Sequence, residues 1–582
     1  ARGAGATDGI LNGLPDISEY IMTGAKYALP LLALWVLLRC VRSMLREKNE
    51  PETWAYFVSK DGEKSPICHW ESIIGRAPSA DVVVDNQAVS RVHASLIRDD
   101  VGGWSLSDIR SKGGTYVNGE EIGRDEPIDD GDELSFANAE YTFRDAGERE
   151  LAAMQRLRTP PGRFVGPGVT LLILTLFQAF LTLEFTVTAA KGDVIGIVLA
   201  FFALIVAEWF CYLVTRSIRR TGFEPETLAF FLSTLGVSVV ATGTPDEMLK
   251  QTLLLLIGIS AFFLLGWILR DLGRAKTLRW LAAAGAIGLL ALNLLTSQEV
   301  FGAKNWLSIA GVSLQPSELV KVAYIFTGAA TLDRLFERRN LFGFIVFSAI
   351  CVVALALMGD FGAAVIFFAT FLVISFMRSG SFATLFLAVS GAGLAGFLVL
   401  SVKPYIAQRF ASWGHVWEDV WGAGYQQTHT MAAAASGGLF GQGAGNGWLK
   451  DVVFANTDMV FGILCEELGL IIAVCAIFAV IALALFAVRN AAQGRSTYYV
   501  IAGCAAVSML MVQLALNVFG SLDILPFTGV TFPFVSKGGT SLISCWMLLA
   551  FVKATDTRRD ASFVVRPAAG HRVRPEEGDE DE

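Results

Sequence analysis

Two patterns of apolar and polar positions divide the chain. Between residues 50 and 150, short segments such as ADVVVD, HASLIR, WSLSDI and ELSF alternate apolar and polar side chains and are separated by Gly, Asn and Asp. That period predicts half-buried strands of a small soluble β domain. Elsewhere the chain is built of long apolar runs with short polar breaks, the pattern of membrane-spanning helices. The expected spans are 24–43 ahead of the β domain, then 165–189, 193–215, 224–241, 248–269, 278–296, 317–333, 341–357, 361–377, 383–402, 460–487, 497–519 and 538–553. That makes about thirteen, each near the roughly 20 residues that cross a bilayer. The first run, ALPLLALWVLLRCV, has no small-residue cleavage site and reads as an anchor rather than a signal peptide.

The expected fold is therefore a polytopic α-helical membrane protein with an all-β sandwich. Its parts are an N-terminus and first anchor over 1–49, the sandwich over 50–150, a linker over 151–163, a membrane domain over 164–556 with a large loop at 403–459, and an acidic tail over 557–582. Composition agrees: 53% hydrophobic and only 17% charged residues, with a mean hydropathy of +0.52, exclude an ordinary soluble enzyme. The net charge of −8 gives no argument for nucleic acid, since PEEGDEDE carries much of it as a solvated tail. The 8 cysteines stand singly, without a Cys-x-x-Cys pair, and the 5 histidines lack ligand spacing, so neither disulfides nor a zinc site are expected.

Basic residues fix an orientation. Arg219, Arg270, Arg338, Arg489 and Arg558 all fall in loops on the side of the β domain, and few lie on the other. The positive-inside rule then puts the N-terminus and loop 403–459 outside, and the β domain and C-terminus in the cytosol.

Asp458 lies in FANTDMVFGILCEELG, where that outer loop runs into an apolar helix. A carboxylate at a membrane surface suits a base, a metal ligand or a charge partner for a lipid-linked substrate, although a helix cap explains it as simply. Glu466 and Glu467 follow in the same run. If that run is one helix they lie roughly 12 Å or more below Asp458, which makes them packing or polar-network residues. Glu318 and Lys321 are one turn apart and share a face, so they can pair. Their cost in lipid favours a place lining a cavity. Asp360 in GDFG is most simply a cap, and SGGLFGQGAGNG lacks the strand context and GK[ST] of a nucleotide loop, so it reads as a re-entrant or close-packed loop.

GRAPSADVVVD, SRVHA, RSKGGTYVNGEEI and IDDGDELSF, in this order, resemble the forkhead-associated (FHA) family. The resemblance implies a β-sandwich whose loops bind phosphothreonine peptides, with Arg76, Ser90, Arg91 and Lys112 on the phosphopeptide and His93 supporting the loop from within. Gly113 departs from the family, which usually has Asn there, and Lys112 replaces a more usual Ser or Thr. Loss of the amide weakens the expected hold on the peptide backbone. A domain that docks partners without reading phosphate is the alternative.

NWLSIAGVSLQPSELVK, GDFGAAVIF, GYQQTHTMAAAASGGLFGQGAGNG with ANTDMVFGILCEELG, and LPFTGVTFPFVSKGGTS resemble the SEDS family of RodA- and FtsW-type cell-wall polymerases over residues 165–555. The resemblance implies a peptidoglycan glycosyltransferase that polymerises lipid II, the undecaprenyl-diphosphate-linked disaccharide peptide, at the outer face of the bacterial cytoplasmic membrane. It makes Asp458 the essential aspartate, acting as base or holding a divalent cation, Mg or Mn. Glu318 and Lys321 join the substrate site or form a structural pair, and Trp306 either guides the lipid or sugar or is an interfacial anchor. The leaving diphosphate needs cations, and the outer-face candidates are Lys304, Arg409, Lys450 and Lys537, of which Arg409 matches the family position ahead of GYQ. Lys537 replaces the usual Tyr of this motif, Asn305 replaces a basic residue, and more spans precede NWL than in the usual core. The implied partners are a class B penicillin-binding transpeptidase and a phosphothreonine protein, such as a Ser/Thr kinase substrate. Two rival readings keep the fold: a transporter of the lipid-linked precursor, or a non-catalytic scaffold.

Overall fold

The computed structural model describes residues 17–46, 52–147 apart from 79, 100 and 101, 150–151, 165–217, 222–297, 303–309, 312–331, 338–379, 382–402 and 410–556 apart from 492 and 495. Helix α1, Ile17–Arg46, starts earlier than the apolar run that announces it. The sandwich follows: β1 (Ala55–Ser59), β2 (Lys64–Ile67), β3 (Glu71–Gly75), β4 (Val82–Val83), β5 (Ala94–Arg98), β6 (Trp104–Asp108), β7 (Thr115–Val117), β8 (Glu120–Glu121), β9 (Glu126–Ile128), β10 (Glu133–Phe136) and β11 (Ala139–Asp145). One sheet runs β2-β1-β11-β10-β7-β8 and the other β4-β3-β5-β6-β9. Inward positions alternate with outward ones, so Phe57, Leu96, Leu106, Phe136 and Phe143 close the space between the sheets without solvent contact.

The bundle consists of α2 (Pro167–Thr188), α3 (Val194–Ser217), α4 (Glu224–Gly243), α5 (Met248–Leu269), α6 (Leu272–Thr296), a hairpin β12 (Leu307–Ile309) and β13 (Val312–Leu314), α7 (Pro316–Thr331), α8 (Arg338–Met358), α9 (Phe361–Ser379), α10 (Phe382–Val402), α11 (Tyr425–Gly437), α12 (Leu470–Ala491), α13 (Thr497–Ser521) and α14 (Gly539–Ala554). A helix stands at every expected span, and among the described residues nine helices are long and apolar enough to cross a membrane. Phe361–Met377 and Gly539–Ala554 are shorter. Helix α4 is the hub, buried along nearly its whole length, so its apolar residues meet other helices rather than lipid.

One expected helix is broken. The run from residue 460 is a turn, Val460–Ile463, then a π-helical turn, Leu464–Leu468, and only after Gly469 does α12 begin. Gly469 adopts φ +91, a region that glycine enters without steric cost. A Cβ there would lie 2.4 Å from the Leu439 carbonyl oxygen, and one on Gly441 would lie 2.1 Å from that of Glu467. The break and the glycine-rich loop thus pack backbone to backbone.

The sandwich is fastened to the bundle at the start of α13. Glu71 is buried and takes Ser496 Oγ on one carboxylate oxygen at 2.8 Å and the Thr497 amide on the other at 2.7 Å. His69 Nδ1 meets the Gly494 carbonyl at 2.7 Å, which assigns the proton to that nitrogen. A carboxylate at a helix N-terminus satisfies an unpaired amide and complements the helix dipole.

Candidate functional site

Asp458 ends a single helical turn, Ala455–Asp458, at the end of the bundle remote from the sandwich. The turn starts from Phe454 at φ +65, and the Asp458 amide donates to the Phe454 carbonyl at 2.9 Å. Its side chain is half-buried. Three contacts hold this turn against the 522–538 loop. The Asn517 side chain donates to the Asp458 carbonyl at 3.0 Å and to the Val530 carbonyl at 2.8 Å. The Lys537 amide donates to the Asn456 carbonyl at 2.8 Å, and Ser536 Oγ donates to the Thr457 carbonyl. Gly529 faces the carboxylate directly: a Cβ there would stand 3.2 Å from Asp458 Oδ2, and the residue lies at φ +66. The turn that carries the carboxylate is therefore held through its main-chain carbonyls, and Gly529 faces the carboxylate itself.

Beneath that loop, Gln513 donates to both the carbonyl and the hydroxyl of Thr531 at 3.0 and 2.9 Å. Its own carbonyl accepts from Lys321 Nζ at 2.8 Å, and Lys321 pairs with Glu318 at 2.8 Å. Ser544 Oγ completes the chain on Glu318 Oε2 at 3.0 Å. The pair is wholly buried among α7, α13 and α14 and supports the 522–538 loop through Gln513. This network is satisfied atom by atom, as a charge pair in such surroundings requires.

Glu466 and Glu467 occupy the π-helical turn, so the straight-helix reckoning of their depth does not apply. Glu466 accepts from the amides of Trp448 and Leu449 at 3.0 and 3.1 Å. Glu467 accepts from those of Gly445 and Gly447 at 2.9 and 3.2 Å and from Thr242 Oγ1 at 2.7 Å. Both carboxylates thus fold the glycine-rich loop around themselves. Asp360 caps α9 through the Ala363 amide at 3.0 Å.

The candidate cations are differently placed. Lys450 Nζ donates to the Gly445 carbonyl at 2.7 Å inside the glycine-rich loop. Lys537 Nζ pairs with Glu247 at 2.8 Å, and Lys250 Nζ meets the other oxygen of that carboxylate at 3.2 Å. The Lys304 amide donates to the Met358 carbonyl at 2.8 Å, just ahead of the β12–β13 hairpin, and Trp306 beside it is exposed. Arg409 lies outside the described residues.

On the sandwich, Arg76, Ser90, Arg91 and Lys112 meet at one edge. The Arg76 amide donates to the Ser90 carbonyl at 3.0 Å, the Ala77 amide to the Arg91 carbonyl at 3.1 Å, and the Lys112 amide to Ser90 Oγ at 3.1 Å. The three cationic side chains are exposed. His93 is buried beneath them: its Nδ1 accepts from the Ser90 amide at 3.1 Å, so Nε2 carries the proton and donates to the Gly114 carbonyl at 3.0 Å. Gly113 has a steric reason here, because a Cβ would lie 2.4 Å from the Ala137 Cβ.

Sequence reasoning passed over Asn517, Gln513, Gly529 and Glu71. The first two carried a signal: two amides one turn apart, LMVQLALNV, in a helix otherwise fit for lipid.

The family model of FtsW, RodA and SpoVE, described as a cell cycle protein, matches residues 227–560. The FHA domain model matches residues 72–137. FtsW of Tolumonas auensis, called a probable peptidoglycan glycosyltransferase, is 32% identical over 368 residues, which cover 59% of this chain and 94% of that protein. RodA of Mycobacterium bovis, called a peptidoglycan glycosyltransferase, is 28% identical over 325 residues, covering 52% and 69%. The crystal structure of Thermus thermophilus RodA is similar at 22% identity and a TM-score of 0.43, covering 57% of this chain and 95% of that one.

Proposed function

The chain belongs to the FtsW, RodA and SpoVE family, and from that membership together with the Asp458 loop we infer that it is a peptidoglycan glycosyltransferase using lipid II. Asp458 accepts the proton of the acceptor sugar hydroxyl as its oxygen attacks the anomeric carbon of the donor. The new glycosidic C–O bond forms while the bond from that carbon to the diphosphate oxygen breaks, and undecaprenyl diphosphate leaves. The observation that carries this reading is the fixing of the Asp458 turn between Asn517 and the 522–538 loop. Preorganisation of that kind keeps a base at the distance the reaction needs.

To the diphosphate we assign Lys304, Lys450, Lys537 and Arg409, and to the lipid or sugar of the substrate the exposed Trp306. Glu318 and Lys321 act beneath it, by supporting the loop. Among the described residues no three His, Cys, Asp or Glu side chains converge as a metal cage. A divalent cation, Mg or Mn, fits only with Asp458 as its protein ligand and diphosphate oxygens for the rest, an arrangement common for Mg. It would supply charge neutralisation to the leaving group.

The positive-inside distribution supports placing this end of the bundle outside the bacterial cytoplasmic membrane and the sandwich in the cytosol. There the FHA domain binds a phosphothreonine protein, such as a Ser/Thr kinase substrate, while a class B penicillin-binding transpeptidase cross-links the product. The deciding experiment is glycan polymerisation from lipid II by the purified Asp458→Asn protein. The amide keeps the shape and removes the basicity, so polymer should vanish while the protein remains folded and inserted. Undiminished polymer would remove Asp458 from the mechanism.

A further inference from the structure

At the sandwich end of α1, far from Asp458, an open cavity of about 480 Å³ is lined by Trp35, Leu38, Arg39, Arg42 and Arg46 and by the chain entering α2 at Gly166. The five α1 residues recur at helical spacing and form one stripe. From Trp35 to Arg46 this stripe runs roughly 16 Å along the axis, the depth of about one leaflet. Its inner part faces lipid: Trp35 and Leu38 are more than half exposed, at 54% and 55%, whereas Val36, Leu37 and Cys40 turn into the bundle.

The outer part is cationic. Arg39 Nε donates to Thr170 Oγ1 at 3.1 Å, which pins one guanidinium across the seam between α1 and α2. Among the described residues no carboxylate lines the cavity or pairs with Arg42 or Arg46. Glu224, in the adjoining pocket, is engaged by Ser43 Oγ at 2.7 Å. Three guanidiniums on a concave seam between two membrane helices, with an apolar strip leading inward, match a phosphodiester whose acyl chains lie alongside.

We propose that this cavity is a binding site for an anionic glycerophospholipid of the sandwich-side leaflet, with Arg39, Arg42 and Arg46 on the headgroup phosphate and Trp35 and Leu38 along its chains. A zwitterionic choline headgroup brings a second charge of the wrong sign to the same guanidiniums. The bound lipid ties α1, which leads into the sandwich, to α2 of the bundle.

The full-length protein in detergent, titrated separately with phosphatidylglycerol, phosphatidylcholine and inorganic phosphate and followed by native mass spectrometry, tests this directly. Phosphatidylglycerol should be retained at least about tenfold more tightly than phosphatidylcholine, and Arg42→Gln/Arg46→Gln should weaken it by about tenfold or more. Both arginines point to solvent or lipid, and Arg39 stays in place, so the fold should survive. In nanodiscs, phosphatidylglycerol brominated on its chains should quench a Trp35 signal, defined by difference from Trp35→Phe, and the double variant should lose that quenching. Equal retention of the two lipids, or an unchanged double variant, would overturn the site. Displacement of the lipid by millimolar inorganic phosphate would show a free-anion site and overturn the lipid assignment.

Discussion

Asn517 bridges two carbonyls, that of Asp458 at 3.0 Å and that of Val530 at 2.8 Å, and so locks the Asp458 turn to the loop that crosses in front of it. Asn517→Leu fills the same space but leaves the buried Val530 carbonyl and the part-buried Asp458 carbonyl without this donor, at a cost of roughly 1–3 kcal/mol. Polymerisation should fall at least about tenfold, with a modest drop in Tm, because the base loses its position rather than its charge. A variant with full activity at the same Tm would show that the clamp has no bearing on chemistry.

Glu71 does for the sandwich what Asn517 does for the site, and on the same helix. Its carboxylate holds Ser496 and Thr497 at the start of α13, about 30 Å along the axis from Asn517. Glu71→Ala should undock the sandwich. Hydrogen exchange of the amides of 496–500 should quicken by roughly tenfold or more, in keeping with a lost charge-assisted contact, while β10 inside the sandwich stays protected. Unchanged exchange at 496–500 would mean that the dock rests on other contacts.

The two architectures were legible because periodicity is local. Alternation in ASLIR and WSLSD gives β5 and β6, and apolar length gives the helices. Contacts between distant residues leave no such trace: Asn517 and Asp458 are 59 positions apart, and Glu71 and Ser496 are 425 apart. The break at Leu464–Gly469 was hidden for a different reason. Its carboxylates are satisfied by amides of residues 445–449, so the turn is stable only once the glycine-rich loop has folded over it. The motif singles out Asp458 as a candidate, while the contacts that fix its turn leave no trace in it.

Gly113 is explained by its neighbour, which gives a double-variant test. Gly113→Asn brings a Cβ to 2.4 Å from that of Ala137 and should destabilise the sandwich by about 1–3 kcal/mol, the usual cost of overpacking. Adding Ala137→Gly removes the clash, and because Ala137 sits at φ +56 the glycine also suits the backbone. Sandwich stability by thermal melting should therefore recover in the pair. Failure to recover would mean that the departure from Asn has another cause.

Arg76 follows directly on β3, whose first residue is the docking Glu71, so the cationic edge and the dock are at the two ends of one strand. If the three exposed cations read phosphate, Arg76→Ala should weaken binding of a phosphothreonine peptide by roughly tenfold to a hundredfold, the value of a charge-assisted contact of about 1.5–3 kcal/mol. Polymerisation by the isolated protein should not change, since Arg76 touches nothing near Asp458. Calorimetry with phosphorylated and unphosphorylated forms of one peptide separates the alternatives. Equal binding of both by the unaltered protein would make the sandwich a docking module that ignores phosphate, and the link to a kinase would fall with it.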